Sequence, residues 1–167
     1  VNVQVDLQLA ADVAPDCIPG RSRFNVWANA ACAPSTPASA DHVERELTIR
    51  VVSEAEGADL NTRYRHKQGP TNVLSFPFEA PADVDMPCLG DIVICQPVVE
   101  REARDQHKLL EAHWAHLVVH GVLHLLGYDH LDDQQAEEME TLEIAILQQL
   151  GYPNPYLAPE YNERRTN

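Results

Sequence analysis

The sequence predicts an α+β fold in a single domain, with a small mixed sheet packed against a buried, metal-bearing helix. Three observations lead there. Short runs alternate apolar and polar residues with the period of a strand, a long apolar helical stretch carries histidines at ligand spacing, and the last helix is amphipathic. At 167 residues and 44% hydrophobic content the chain is long enough for one buried core and short for two. The domain is expected to span residues 1–153, followed by a loose tail over 154–167.

Taken in order, Val1, Val3, Val5, Leu7 and Leu9 alternate with polar residues and read as an edge or outer strand. Phe24, Trp27, Ala28 and Ala31 recur at helical spacing and predict a short helix, which the Pro- and Ser-rich APSTPASA ends. Leu47, Ile49 and Val51 alternate as a second strand. Ser53 with Glu56 forms a capping-box pattern that predicts a helix carrying Leu60. Strands are expected at Val73 to Phe78 and at Asp91 to Cys95, with EAPADVDMP between them as an exposed loop. From about Val98 to Leu126 the chain reads as one helix or two abutting ones, apolar all round in its second half and therefore buried. A final helix of about 133–150 presents Met139, Leu142, Ile146 and Leu150 and stops at Gly151 and Pro153.

Composition limits the function. Cys17, Cys32, Cys88 and Cys95 form no C-x-x-C pair, so neither a disulfide framework nor a cysteine-held zinc is expected. No run approaches a membrane span and the opening VNVQVDLQLA is unlike a signal peptide, which gives a cytoplasmic expectation without membrane partners. The net charge of −14 opposes non-specific binding to duplex nucleic acid. Much of it, however, sits between Asp129 and Leu150, where seven acidic residues meet no Lys or Arg. A compact cationic spot remains at Arg63, Arg65 and Lys67. In the final helix, Glu137, Glu138, Glu140 and Glu143 read as a solvated acidic face.

The chemistry concentrates in HGVLHLLGYDH. His120 and His124 stand at i and i+4 on one helix face, so their imidazoles can converge on one ion. Gly127 offers a left-handed exit that lets the chain turn back and deliver His130 as a third nitrogen ligand. Three neutral imidazoles suit one Zn2+ per chain and leave a fourth position open. A single histidine on an apolar face is ordinarily a core residue, but H-x3-H-x5-H with glycine three before the last histidine is the spacing of metzincin zinc proteases. His113 and His116 continue the same face. They span too many turns to share one ion with the pair, so His116 is expected to support a ligand and His113 to be structural. The proteases place a glutamate directly after the first histidine as general base, whereas this chain has Gly121. RNA cleavage asks for less, because its own 2′-hydroxyl can attack the phosphate. A zinc-bound water is an equally open nucleophile.

LNTRYRHKQGPTNVLSFPFEAP, LGDIVIC and AHLVVHGVLHLLGYDH, in that order between about Leu60 and Tyr156, together resemble the signature segments of the YbeY endoribonucleases. The resemblance implies an α+β fold and single-strand-specific RNA cleavage. It further implies roles in maturing the 3′ end of 16S (small-subunit) rRNA and in ribosome quality control. Implied partners are single-stranded RNA, rRNA and ribosomes, with ribosomal proteins or an assembly GTPase beyond them, for a protein taken as a monomer. It also singles out Arg65, whose guanidinium suits a phosphate whose charge grows in the transition state. Ser75 and Asp91 lie in the other two segments and either line the cleft or pack a strand. Asp129 either orients a ligand imidazole or caps the turn. Three readings compete: a metal-dependent endoribonuclease, a metzincin-like hydrolase of another bond, and an assembly factor with structural zinc. Gly121 speaks against the second. The open position and Arg65 speak against the third.

Overall fold

The computed structural model describes residues 2–35, 44–66, 69, 71–78, 88–129 and 131–157. The elements run β1 (Asn2–Leu9), α1 (Arg21–Cys32), β2 (Glu44–Val52), α2 (Glu54–Arg65), β3 (Val73–Pro77), β4 (Cys88–Cys95), α3 (Gln96–Asp105), α4 (Leu110–Leu125) and α5 (Asp133–Gln149). The sheet has the order β1-β2-β4-β3. β1 lies parallel to β2 and β2 parallel to β4, while β3 runs antiparallel to β4, so the sheet is mixed as expected. β1 is an edge strand.

Side-chain alternation divides the sheet into two apolar faces. Ile92 and Ile94 join Leu47, Ile49 and Val51 in the main core, whereas Val93 and Cys95 face a smaller cluster with Val52, Leu74 and Val98. α2 covers the smaller cluster with Leu60, and Gly57 allows close approach, since a Cβ there would stand 3.2 Å from the Cys95 sulfur. The main core is filled by α4, which buries Trp114, Ala115, Val118, Val119, Val122 and Leu123. α1 packs on it with Phe24 edge-on to Trp114, ring centroids 5.9 Å apart, and α5 closes it with Met139, Ile146 and Leu147.

Two local expectations are refined. The long stretch from Val98 is two helices, parted at 106–109, where His107 takes a positive φ of 54°. Ser53 is indeed the N-cap of α2, but its side chain makes no cap bond. Glu56 turns instead to the Arg50 guanidinium, at 2.6 and 2.9 Å, because a paired ionic fork outcompetes one bond to a backbone N–H. The expected loop 79–87, Lys67 and most of APSTPASA lie outside the described residues. Among the described residues Cys17, Cys32, Cys88 and Cys95 form no disulfide with one another. No helix among the described residues is long and apolar enough to cross a membrane.

Candidate metal centre

α4 is positioned by its apolar sides, and the histidines occupy the stripe left over. Its run of Leu, Ala and Val buries it between the sheet, α1 and α5, which fixes its position. His113, His116, His120 and His124 lie one turn apart along that stripe, with neighbouring ring centroids 6.3, 6.2 and 4.6 Å apart.

The closest pair is the one the spacing selects. His120 Nε2 and His124 Nε2 stand 3.1 Å apart. Two nitrogen ligands of one tetrahedral zinc, each about 2.0–2.1 Å from the ion, are roughly 3.3 Å apart, so the pair fits a shared ion with almost no movement. Gly127 has a φ of 103° and turns the chain away after α4 as expected. His130 lies outside the described residues.

The tautomer of His120 is set from α5. Glu143 is fully buried, with one carboxylate oxygen 2.8 Å from His120 Nδ1 and the other 2.7 Å from His116 Nε2 and 2.6 Å from the Tyr156 hydroxyl, which donates to it. Burial works to raise the Glu143 pKa, yet the hydrogen bonds from His116 and His120 outweigh it and hold it at about 2. The acceptor is therefore an anion, so His120 presents Nδ1–H to it and turns the Nε2 lone pair toward His124. A carboxylate behind a ligand imidazole is a common device for orienting the ring and raising its basicity. Burial lowers the His116 pKa against the pull of Glu143, and raises that of Tyr156, with Glu143 adding to the rise.

Glu143 corrects the solvated acidic face read from the sequence. It lies four residues after Met139 and three before Ile146, both buried, so helical periodicity places it on the core stripe. Tyr156 lies in the segment expected to be a loose tail, and nothing in the sequence marks it as a partner of Glu143. His116, His120 and Glu143 have ligand atoms within 4.8 Å of one another and could hold an ion themselves. Their 2.7 and 2.8 Å contacts are hydrogen-bond distances, shorter than the spacing of two ligands on one zinc, so an ion there would push the groups apart.

Arg65 closes α2, is exposed, and donates from Nη2 to the Ser75 carbonyl at 3.2 Å. Ser75 is buried on β3, and its hydroxyl donates to the Gly121 carbonyl at 3.3 Å. One serine thus ties the arginine to the α4 turn between the two histidines. Gly121 has a packing role there, because a Cβ would stand 3.0 Å from Ile92 Cδ1 and 3.3 Å from Ser75 Oγ. The position where zinc proteases carry glutamate is pressed against the sheet. Asp91 is exposed on β4 opposite Phe76, and Asp129 is exposed after the turn. His113 is buried and bonded through Nε2 to Glu102 at 3.0 Å, away from the pair, which agrees with a structural role.

The solution structure of TM1509 from Thermotoga maritima is similar in fold, with a TM-score of 0.58 over 99% of this chain and 93% of that one at 24% identity. The family model for Endoribonuclease YbeY matches residues 20–151, from the start of α1 to the end of α5. With that match running through β2, β3, β4 and the histidine helix, the chain belongs to the YbeY endoribonuclease family.

Proposed function

We propose that the protein is a zinc-dependent endoribonuclease specific for single-stranded RNA, acting in the cytoplasm at the 3′ end of small-subunit rRNA and in ribosome quality control. Family membership supports RNA cleavage. The observation that carries metal dependence is the 3.1 Å approach of His120 Nε2 to His124 Nε2 with Glu143 behind His120. His120, His124 and His130 would hold one Zn2+ per chain. When bound, the ion supplies a Lewis acid for a phosphoryl oxygen or a water of lowered pKa.

The chain's own residues do the rest. Glu143 holds the His120 proton on Nδ1, and His116 and Tyr156 keep that carboxylate dry and fixed. Arg65, steadied on the Ser75 carbonyl, has the remaining guanidinium donors for a phosphate and would stabilise charge growing on its oxygens. Gly121 offers no base, which disfavours peptide hydrolysis. Ribosomes, with ribosomal proteins or an assembly GTPase, are the setting in which a monomer of this kind would meet its substrate.

The test is purified protein with zinc measured by elemental analysis, incubated with single-stranded and duplex RNA with and without chelator. One zinc per chain, chelator-sensitive cutting of the single strand and an inert duplex are expected. His124→Ala should lose most of the zinc. Full zinc retention in that variant, or cutting that survives complete metal removal, would sink the reading.

A further inference from the structure

The ends of α3 and α5, the start of α4 and residues 153–157 enclose a cavity of about 810 Å3, within the size range of small-ligand sites. Leu109, Ala112 and Leu147 give it apolar walls, and its charged lining has one sign: Arg104 and Lys108, with no Asp or Glu among the lining residues. That is unexpected in a chain of net charge −14. Arg23, Arg50, Arg63 and Arg101 are each paired with a carboxylate, whereas Arg104 and Lys108, like Arg21, Arg45 and Arg65 elsewhere, have no ion pair among the described residues, and these two share one cavity. Burial lowers the Lys108 pKa, with Glu102 opposing, and an anion in the cavity would offset that cost. The cavity therefore complements a ligand with an anionic end and an apolar, flat body.

Its position relative to the imidazole pair narrows the class. His113 and His116 line the cavity with rings anchored through Nε2 to Glu102 and Glu143 at 3.0 and 2.7 Å. His116 and His120 share Glu143, so the cavity begins about one helical turn, roughly 5.4 Å, from the first proposed zinc ligand. A strand with its scissile phosphate at that ligand would bring a neighbouring nucleotide to the cavity mouth. We propose that the cavity is a subsite for a nucleotide flanking the cut, its base against the apolar wall and the two imidazoles and its phosphate toward Arg104 and Lys108. This rests on the endoribonuclease reading and extends it to where the strand runs. Bases splayed from a single strand and stacked on rings, with cations on the backbone, are the usual means of binding unpaired RNA.

The experiment uses the zinc-loaded protein and single-stranded 2′-O-methyl RNAs from a dinucleotide to roughly a dozen nucleotides, checked to remain intact, with binding read by fluorescence anisotropy across a salt series. Arg104→Ala/Lys108→Ala removes the charges from exposed or half-exposed positions, and Ala112→Phe fills the cavity without changing charge. Melting curves confirm folding. The double variant should bind the longer RNAs about tenfold more weakly, with a log–log salt slope smaller by about 0.7 for each lost phosphate contact, and leave dinucleotide affinity unchanged. On cleavable RNA its KM should rise with kcat held. Ala112→Phe should also weaken the longer RNAs, and if it does not fold the charge variants still decide. Equal affinity and equal salt slope in the double variant would overturn the subsite. So would a free mononucleotide binding the wild type as tightly as the long strand, which would make the cavity a nucleotide pocket unrelated to the substrate path. Failure of the endoribonuclease reading looks different, because the wild type would then neither bind nor cut any RNA, and both proposals would fall.

Discussion

Replacing Glu143 by Gln keeps the volume of the buried hub and removes its charge. The wild-type carboxylate is fully buried and accepts three hydrogen bonds, at 2.8, 2.7 and 2.6 Å. A carboxamide has one acceptor oxygen, and its NH2 must face an N–H or an O–H that also wants to donate. With the rings in their present tautomers, two of the three bonds can be kept, in neutral form. Losing one charge-assisted bond and burying one mismatched donor each cost about 1.5–3 kcal/mol, partly offset by His116 switching tautomer, so a net loss of roughly 2–4 kcal/mol is expected. For a domain of this size that lowers the melting temperature by roughly 5–15 °C. Zinc affinity should fall about 10- to 100-fold, the range for removing a group that orients a ligand imidazole. The assay is thermal melting of chelated protein, to read stability apart from metal, and competition with a chromogenic chelator, to read zinc affinity on Glu143→Gln and His124→Ala together. Unchanged zinc affinity in Glu143→Gln would refute the orienting role. If Glu143→Gln abolished binding while His124→Ala retained it, the ion would belong between His116, His120 and Glu143 instead.

Arg65→Ala should keep its zinc and its melting temperature while single-turnover cleavage of single-stranded RNA slows by about one to two orders of magnitude, and Arg65→Lys should recover only part of the rate. A wild-type rate in Arg65→Ala would remove the phosphate role, and loss of zinc or folding would make the residue structural. Glu102 is also titratable in the fold: burial works to raise its pKa, but hydrogen bonds from His113 and Asn72 outweigh this and lower it. The unfolded chain then binds its proton first. The stability Glu102 contributes is full above the unfolded carboxylate value of about 4.3 and is lost as pH falls through the lower folded value. Denaturant melts should show Glu102→Gln destabilised at neutral pH and the gap to wild type narrowing below about pH 4; a constant gap would refute the assignment. Gly90, at φ 140° on β4, would place a Cβ 2.3 Å from the Phe76 carbonyl oxygen, so Gly90→Ala should break the β3–β4 pairing and cost roughly 3 kcal/mol or more. Gly121→Ala meets only side-chain atoms at 3.0 Å or beyond and should cost less by chemical denaturation; the reverse order would contradict the packing described.

What was legible in the sequence and what was not follows from the range of each interaction. Strand alternation at Val3, Val5 and at Leu47, Ile49, Val51 is local, and those residues are buried on one sheet face as expected. The i, i+4 convergence of His120 and His124 is equally local, and the 3.1 Å approach is what one helical turn delivers. The capping box at Ser53 failed because Arg50, a strand residue beside the helix start, offered Glu56 a stronger partner. Glu143 was hidden for a different reason. Its partners lie 23 and 27 residues away on another helix, and in a run of acidic residues its charge reads as solvation until the burial of Met139 and Ile146 on the same stripe is weighed.

That hidden residue alters how the histidine stripe is understood. Taken alone, four imidazoles along a helix invite one long metal site or several. Glu143 and Glu102 divide them. Each carboxylate takes up an imidazole nitrogen, Glu102 from His113 and Glu143 from both His116 and His120, and each such bond commits the ring to a donor role at that atom. His116 gives its outer nitrogen to Glu143 and has none to spare on that side for an ion, whereas His120 gives its inner nitrogen and turns the outer one toward His124. By engaging Nε2 of His116 but Nδ1 of His120, the same carboxylate leaves only the second ring with its Nε2 turned toward another imidazole. The H-x3-H spacing occurs twice on this face, from 116 to 120 and from 120 to 124, and only the second copy brings two Nε2 atoms within 3.1 Å of each other, where a proton on His124 bridges to the His120 lone pair in the place an ion would take. A histidine motif of this kind is therefore incomplete as a prediction of a metal site until the acid that sets its tautomers has been found.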